Sequence, residues 1–119
     1  MTDSLAIAIA QINPTVGDIA GNMDLIRKAR AEAAGLGADI VVTGELALSG
    51  YPTEDLVLKQ TFQDRLQDAI EVLAGETDDG GPALLLGAPW REKGKLYNAA
   101  LLLDGGAVAT VRLKHELPN

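Results

Sequence analysis

The feature that most constrains the fold of this chain is a series of short apolar runs separated by segments with helical periodicity. The runs are LAIAIAQI (5–12), DIVVT (39–43) and ALLLGAPW (83–90). Their length and the Pro and Gly residues near their ends favour buried strands over helices, and the first run is expected to be buried on both faces. Between the first two runs, apolar residues recur at steps of three and four, as on one helix face. This strand–helix–strand order predicts an α/β layered fold with a parallel pair of strands.

The segment after the first run predicts an amphipathic helix. Asp18 or Asn22 offers an N-cap side chain, and Gly35 and Gly37 are placed to stop the helix. The apolar residues predicted to share its buried face are Ile19, Met23, Ile26, Ala29, Ala33 and Leu36. The charged residues of the segment fall mostly on the opposite side, which is typical of a helix that covers a sheet.

Further helices and a hairpin follow the second run. A short helix is predicted from Thr53 or Glu54 to Leu58, and a longer one over residues 61–74. The face predicted to be buried in the longer helix comprises Phe62, Leu66, Ala69, Ile70 and Leu73. The last third holds two β-type runs joined by DGG (104–106), a composition typical of a hairpin turn.

Length and composition exclude several classes of function. A chain of 119 residues is compatible with one domain. The net charge of −7 and the lack of Lys/Arg clusters argue against nucleic-acid binding. No run approaches the ~20 apolar residues of a membrane helix, and the N-terminus lacks the pattern of a signal peptide, so a cytoplasmic location is expected. The sequence contains no cysteine, which excludes disulfides, cysteine-type zinc sites and a cysteine nucleophile within these residues, and we expect no metal site.

Glu45 is the first candidate for chemistry. It follows the predicted strand DIVVT, and ligand crevices in open α/β sheets form outside the carboxyl ends of strands. Among apolar neighbours, desolvation would raise the pKa of its carboxyl group and suit it to act as a base near neutral pH. The alternative is a solvent-exposed glutamate in a loop, or one that caps a backbone amide.

Tyr51, Lys114 and His115 are weaker candidates when each is considered alone. Tyr51 could bring a hydroxyl to the pocket of Glu45, or it could pack its ring on the core with the hydroxyl in water. Lys114, at the end of the last run, is either catalytic or a solvated edge charge. Alternation along that run places Lys114 on one face with Val108, Thr110 and Arg112. His115 is the only histidine; it is interpreted as a surface residue, with a role as a base as the alternative.

Three segments together resemble the nitrilase (carbon–nitrogen hydrolase) superfamily. AIAQINPTVGDIAGNMDLI (8–26) is similar to the family's first strand and helix, and GELALSGYPTEDL (44–56) to its glutamate motif. The stretch from LLLGAPW (84–90) to KHELPN (114–119) is similar to its central strands and lysine motif. Details such as KLYNAALLLDGG most resemble the N-terminal glutaminase domain of glutamine-dependent NAD synthetases. The implied fold is α/β, the N-terminal part of a four-layer αββα nitrilase-type sandwich.

The resemblance implies a Glu–Lys–Cys triad. Glu45 would be the general base, Lys114 would stabilise the oxyanion of the tetrahedral intermediate, and Tyr51 would line the substrate pocket. Glutamine would be the substrate, and the ammonia would pass to a synthetase domain that requires ATP and magnesium. This segment itself would bind no cofactor, and the protein would form a homo-oligomer.

The sequence departs from the family pattern at two points. Gly44 stands where many members have proline, and no cysteine is present. We therefore expect residues 1–119 to be a partial carbon–nitrogen hydrolase domain that stops before the catalytic cysteine and is inactive alone. The alternatives are a piece of a stand-alone amidase or ω-amidase of the same superfamily, and a non-catalytic binding or assembly module.

Overall fold

The predicted strands all pair in one five-stranded sheet in the computed structural model, which describes residues 3–52 and 54–117. The elements are β1 (Ile7–Ile9), α1 (Ile19–Gly35), β2 (Ile40–Val42), α2 (Glu54–Val57), α3 (Gln60–Glu76), β3 (Ala83–Glu92), β4 (Lys95–Asp104) and β5 (Ala107–Glu116). The strand order in the sheet is that of the sequence. One alternative start of the predicted short helix, Thr53, lies outside the described residues. Within the described ranges, no helix has the length and apolarity needed to cross a bilayer.

The sheet has a parallel half and an antiparallel half. β1, β2 and β3 run parallel, as the strand–helix–strand order predicts, whereas β3, β4 and β5 form an antiparallel meander. The turn before β5 uses Gly105 and Gly106 with φ of 61° and 91°, which confirms the predicted hairpin. The turn between β3 and β4 is Lys93–Gly94, and both residues have positive φ, as two-residue hairpin turns of type I′ require. This second hairpin was not among the elements predicted from the sequence.

Helices α1 and α3 cover one face of the sheet. Asp18 is the N-cap of α1, and its carboxylate accepts the backbone N–H of Gly21 at 3.0 Å. Ile26 is fully buried, as predicted, but Leu36 is 86% exposed because α1 ends at Gly35 and Leu36 is already its C-cap. All five residues of the predicted face of α3 are buried.

The hydrophobic core lies between these two helices and the covered face of the sheet. Its strand residues alternate with residues of the opposite face, as the pleat requires. The buried core residues of the strands are Val41, Leu84, Leu86, Ala88, Ala99, Leu101 and Leu103. Arg30 of α1 also bridges to the loop before β3, where it meets the Asp79 carboxylate at 2.7 Å and the Pro82 carbonyl at 2.9 Å.

The opposite face of the sheet is apolar but has no covering helix among the described residues. Ile7 and Ile9 are exposed, and Leu85 and Leu102 are only half-buried. The prediction that the first run is buried on both faces is therefore wrong for β1. Its two isoleucines point to the side that α1 and α3 do not cover, and β1 is also the edge strand of the sheet.

Two bulges interrupt the pairing of β5 with β4. At the first bulge, Thr110 pairs with Leu102 and Val108 with Leu103, so Ala109 is an extra residue on β5. At the second bulge, nearer the end of the strand, Lys114 is the extra residue. Because of the first bulge, Val108 packs against the core, together with Val111 and Leu113. The strict alternation predicted for β5, with Val108 on the face of Lys114, is wrong for this reason.

Candidate active site

Glu45 lies in a tight turn that follows β2 and contacts β3 at Gly87. The next residue, Leu46, is buried and has a φ of 51°, a left-handed conformation that is unusual for leucine. The turn closes with a hydrogen bond from the N–H of Gly50 to the carbonyl of Leu46 at 2.8 Å. The side-chain amide of Asn22 on α1 donates to the carbonyl of Leu48 at 2.9 Å. The segment that follows Glu45 is thus fixed by its own turn and by α1.

A glycine in β3 allows this turn to approach the sheet. The hydroxyl of Thr43 accepts the N–H of Gly87 at 3.0 Å, and the Gly87 carbonyl accepts the N–H of Leu48 at 3.2 Å. A Cβ at Gly87 would lie 2.8 Å from the backbone nitrogen of Leu46 and closer still to the carbonyl oxygen of Gly44. The backbone of the Glu45 turn therefore occupies the space that any other residue would fill.

Two side chains from neighbouring strands hold the Glu45 carboxylate. The ammonium of Lys114, on β5, donates to Oε2 at 3.3 Å. The amide Nδ2 of Asn98, on β4, donates to Oε1 at 2.6 Å. Glu45 and Lys114 are 69 positions apart in the sequence. The fold thus brings together the two residues that the resemblance implies for the triad.

The electrostatics of Glu45 differ from the prediction. Its pKa lies below the usual value, mainly because of the hydrogen bond from Lys114, with further lowering by Asn98 and Tyr51. Desolvation acts in the opposite direction but is outweighed. The expectation of a raised pKa is wrong because the side chain remains 35% exposed and is bonded to a cation. At neutral pH Glu45 is therefore a carboxylate, the form that can accept a proton.

Tyr51 lies on the same side of the sheet as Glu45. Its side chain is largely exposed, with 66% of the residue's surface accessible, so the alternative in which the ring packs on the core is wrong. Tyr51 and Glu45 line a cavity of about 370 Å³ together with residues of the segment after β1. A smaller cavity of about 90 Å³ lies between Glu45, Asn98 and Lys114. The exposed His115 neighbours Lys114 in sequence and pairs with Asn98 in the sheet register.

Asn98 and Gly87 belong to the site, although neither was predicted from the sequence as a site residue. Asn98 is the one polar residue in the apolar stretch YNAALLL, and a polar side chain in a buried strand needs a hydrogen-bond partner. That signal was available from the sequence. Gly87 in ALLLGAPW offered a similar signal, because a glycine inside a strand often marks a close backbone approach.

The comparison with protein families agrees with this geometry. The family model described as carbon–nitrogen hydrolase matches residues 6–118. The chain belongs to the carbon–nitrogen hydrolase family. This result confirms the resemblance to the superfamily, and the α/β arrangement is the nitrilase-type fold that was expected.

Relatives within the carbon–nitrogen hydrolase family include enzymes of two kinds. A glutamine-dependent NAD(+) synthetase of Rhodobacter capsulatus is 42% identical over 119 residues, which is 100% of this chain and 21% of the relative. The structure of the glutamine-dependent NAD+ synthetase of Acinetobacter baumannii in complex with ADP matches with a TM-score of 0.83 and 32% identity, over 95% of this chain and 21% of that one.

The second kind is an amidase of Nesterenkonia sp. AN1. One of its structures, a variant with the acetamide moiety of fluoroacetamide added covalently at the active-site cysteine, matches with a TM-score of 0.81 and 28% identity. The match covers 92% of this chain and 42% of the amidase. The chain thus spans about a fifth of the length of the NAD synthetases and less than half of the amidase.

Proposed function

We propose that this chain is the N-terminal part of the glutaminase domain of a glutamine-dependent NAD synthetase. The observation that carries the proposal is the contact between Glu45 and Lys114, which joins the ends of β2 and β5 on the open face of the sheet. The identity to NAD synthetases over the full length of the chain supports this branch of the family over the amidases.

In the first half of the proposed reaction, the nucleophile is a cysteine that lies outside these 119 residues. Glu45 accepts the thiol proton as the sulfur attacks the carbonyl carbon of the glutamine side-chain amide. The Lys114 ammonium stabilises the oxyanion of the tetrahedral intermediate. The intermediate then breaks its C–N bond, Glu45 returns the proton to the leaving nitrogen, and ammonia departs, which leaves a thioester.

In the second half, a water molecule replaces ammonia. Glu45 removes a proton from the water as its oxygen attacks the thioester carbonyl, and Lys114 again stabilises the oxyanion. Breakage of the C–S bond releases glutamate and returns the proton to the thiolate. Tyr51 lines the cavity beside Glu45. In this proposal it contacts the glutamine side chain.

The remaining parts of the proposal concern the whole protein. The ammonia is used by a synthetase domain on the same chain, in which ATP and magnesium activate deamido-NAD. We propose that the magnesium is bound by that other domain. We also propose a homo-oligomer in the cytoplasm.

The test uses the full-length protein that carries this segment. Glutamine hydrolysis and ATP-dependent NAD formation from deamido-NAD are measured with glutamine as the nitrogen donor and again with ammonium. We expect Glu45→Gln to abolish glutamine-dependent NAD formation while ammonium-dependent formation continues. The 119-residue chain alone is expected to aggregate and to hydrolyse no glutamine, because it contains no cysteine and leaves an apolar sheet face uncovered.

Each other outcome counts against a defined part of the proposal. Amide hydrolysis without any ATP-dependent NAD formation would favour a stand-alone amidase. Full glutaminase activity of Glu45→Gln would remove Glu45 as the base. Hydrolysis of glutamine by the 119-residue chain at a normal rate would exclude the cysteine mechanism for this protein.

A further inference from the structure

Asn98 is a buried residue whose side chain makes one hydrogen bond among the described contacts. That bond runs from its amide Nδ2 to the Glu45 carboxylate. The residue is fully buried in the middle of the sheet, between β3 and β5. Its Nδ2 donates to Glu45 Oε1 at 2.6 Å, which is shorter than the 3.3 Å contact from Lys114 to Oε2. Of the contacts from Asn98 and Lys114, the shorter one therefore comes from the buried neutral amide, and the longer from the half-exposed cation.

The orientation of the amide is set by the carboxylate. The other amide atom, Oδ1, is buried and has no hydrogen-bond partner among the described residues. Exchange of the two amide atoms would place Oδ1 against a carboxylate oxygen, where two acceptors would repel each other. Buried polar side-chain atoms are nearly always bonded. An asparagine that leaves one such atom unbonded and directs the other at Glu45 is better suited to holding a carboxylate than to stabilising a strand.

We propose that Asn98 is a positioning residue that fixes the Glu45 carboxylate by one oxygen and leaves the other, Oε2, to exchange protons. This inference rests on the proposed glutaminase function. The amide cannot titrate, so the contact to Oε1 persists throughout the cycle, whether Glu45 is ionised or protonated on Oε2. Lys114 is then free to move from Oε2 toward the oxyanion of the substrate while Glu45 stays in place.

The inference predicts a change in the pH dependence of glutamine hydrolysis. The groups that face Glu45 are Asn98 from β4, Lys114 from β5 and Tyr51 from the loop after β2. The hydrogen bond from Asn98 lowers the pKa of Glu45. Asn98→Leu removes the donor at similar volume, so the acidic limb of the kcat/KM profile should move to higher pH, and kcat should fall by roughly 10²-fold with little change in KM.

Asn98→Asp gives a result that a purely structural role would not produce. A protonated aspartic acid can donate to Glu45, whereas an aspartate repels it, and the two carboxyl groups titrate as a pair. Activity of this variant should therefore persist on the acidic side and disappear on the alkaline side, at a lower pH than in the wild type. This variant also decides the question if Asn98→Leu does not fold.

The experiment measures glutamate release by the full-length protein from about pH 3 to 10, a range that extends below the usual glutamate pKa of about 4.3. The control is Thr77→Val, which removes a buried hydroxyl that donates to Ala74 and accepts from Gly106, far from Glu45. Its pH profile should match the wild type even if its melting temperature falls. Wild-type kcat and pH profiles in both Asn98 variants, with Glu45→Gln inactive, would overturn the inference and leave the proposed function standing. An active Glu45→Gln would overturn the proposed function itself.

Discussion

Replacement of Gly87 by alanine should disable the site without touching any charged group. A Cβ at this position would lie 2.8 Å from the nitrogen of Leu46 and 3.1 Å from the Cα of Glu45, and closer still to the Gly44 carbonyl. These neighbours are backbone atoms, which cannot rotate away as a side chain can. β3 is held between β2 and β4, so the turn that carries Glu45 must move instead.

The expected size of the effect follows from that displacement. Relief of the overlap requires a shift of roughly 1 Å, and a misplacement of this size in a catalytic group lowers the rate by about 10²-fold. That factor corresponds to about 2.7 kcal/mol of lost transition-state stabilisation. Overpacking also lowers the free energy of unfolding by about 1–3 kcal/mol.

The assay is glutamine hydrolysis by the full-length protein, with melting temperature measured in parallel. Gly75→Ala on α3 is the matched control, because a Cβ there meets nothing within 4 Å. It should keep wild-type activity and gain about 0.5–1 kcal/mol of stability, as alanine generally does over glycine inside a helix. A folded Gly87→Ala variant with the kcat/KM of the wild type would refute the account of how the Glu45 turn is positioned.

Two further predictions concern charged pairs. Lys114→Met keeps the length of the apolar stem but removes the hydrogen bond that lowers the pKa of Glu45 most. Glutamine hydrolysis should therefore fall by roughly 10²–10³-fold, and the acidic limb of its pH profile should move to higher pH. An unchanged acidic limb would contradict the assignment of Lys114 as the partner of Glu45. Asp79 has a pKa far below its usual range because Arg30 donates to it. Its contribution to stability is present above the unfolded pKa of ~3.9 and is lost as the pH falls toward the folded value. Asp79→Asn should therefore lower the melting temperature at pH 7 and lower it less near pH 2, where part of the contribution is already lost. An equal loss at both pH values would argue against the ion pair.

Helix α3 shows where the sequence predicted the structure well. Its apolar residues recur with the period of a helix, and this period reports burial directly when one face of the helix packs on a sheet. The prediction failed at Leu36, which has the right spacing but follows the end of α1 at Gly35. It failed again at Ile9, because an apolar run indicates a strand but does not show whether both faces are covered.

The candidate site was predictable in part. Glu45 and Lys114 were identified through the family resemblance, but their contact joins positions 69 apart and depends on the pairing of the strands, which the sequence pattern does not show. The lowered pKa of Glu45 depends on the same contact, so local sequence predicted the wrong direction. Asn98 could have been found as a polar residue in an apolar strand, although the sequence does not show that its partner comes from 53 positions away.

β2 and β4 differ in the number of residues that pair with their neighbouring strands, and this difference affects how easily each part of the site opens. β2 is joined to each neighbour by three residue pairs, whereas β4 is paired along nearly its whole length on both sides. Segments with fewer backbone hydrogen bonds open locally at lower free energy, and their amide hydrogens exchange sooner. We expect β2 and the turn behind it to open before β4 and β5. The proton acceptor would then leave Asn98 and Lys114 while the meander stays folded, so the protein can lose its catalytic arrangement, and recover it, without unfolding.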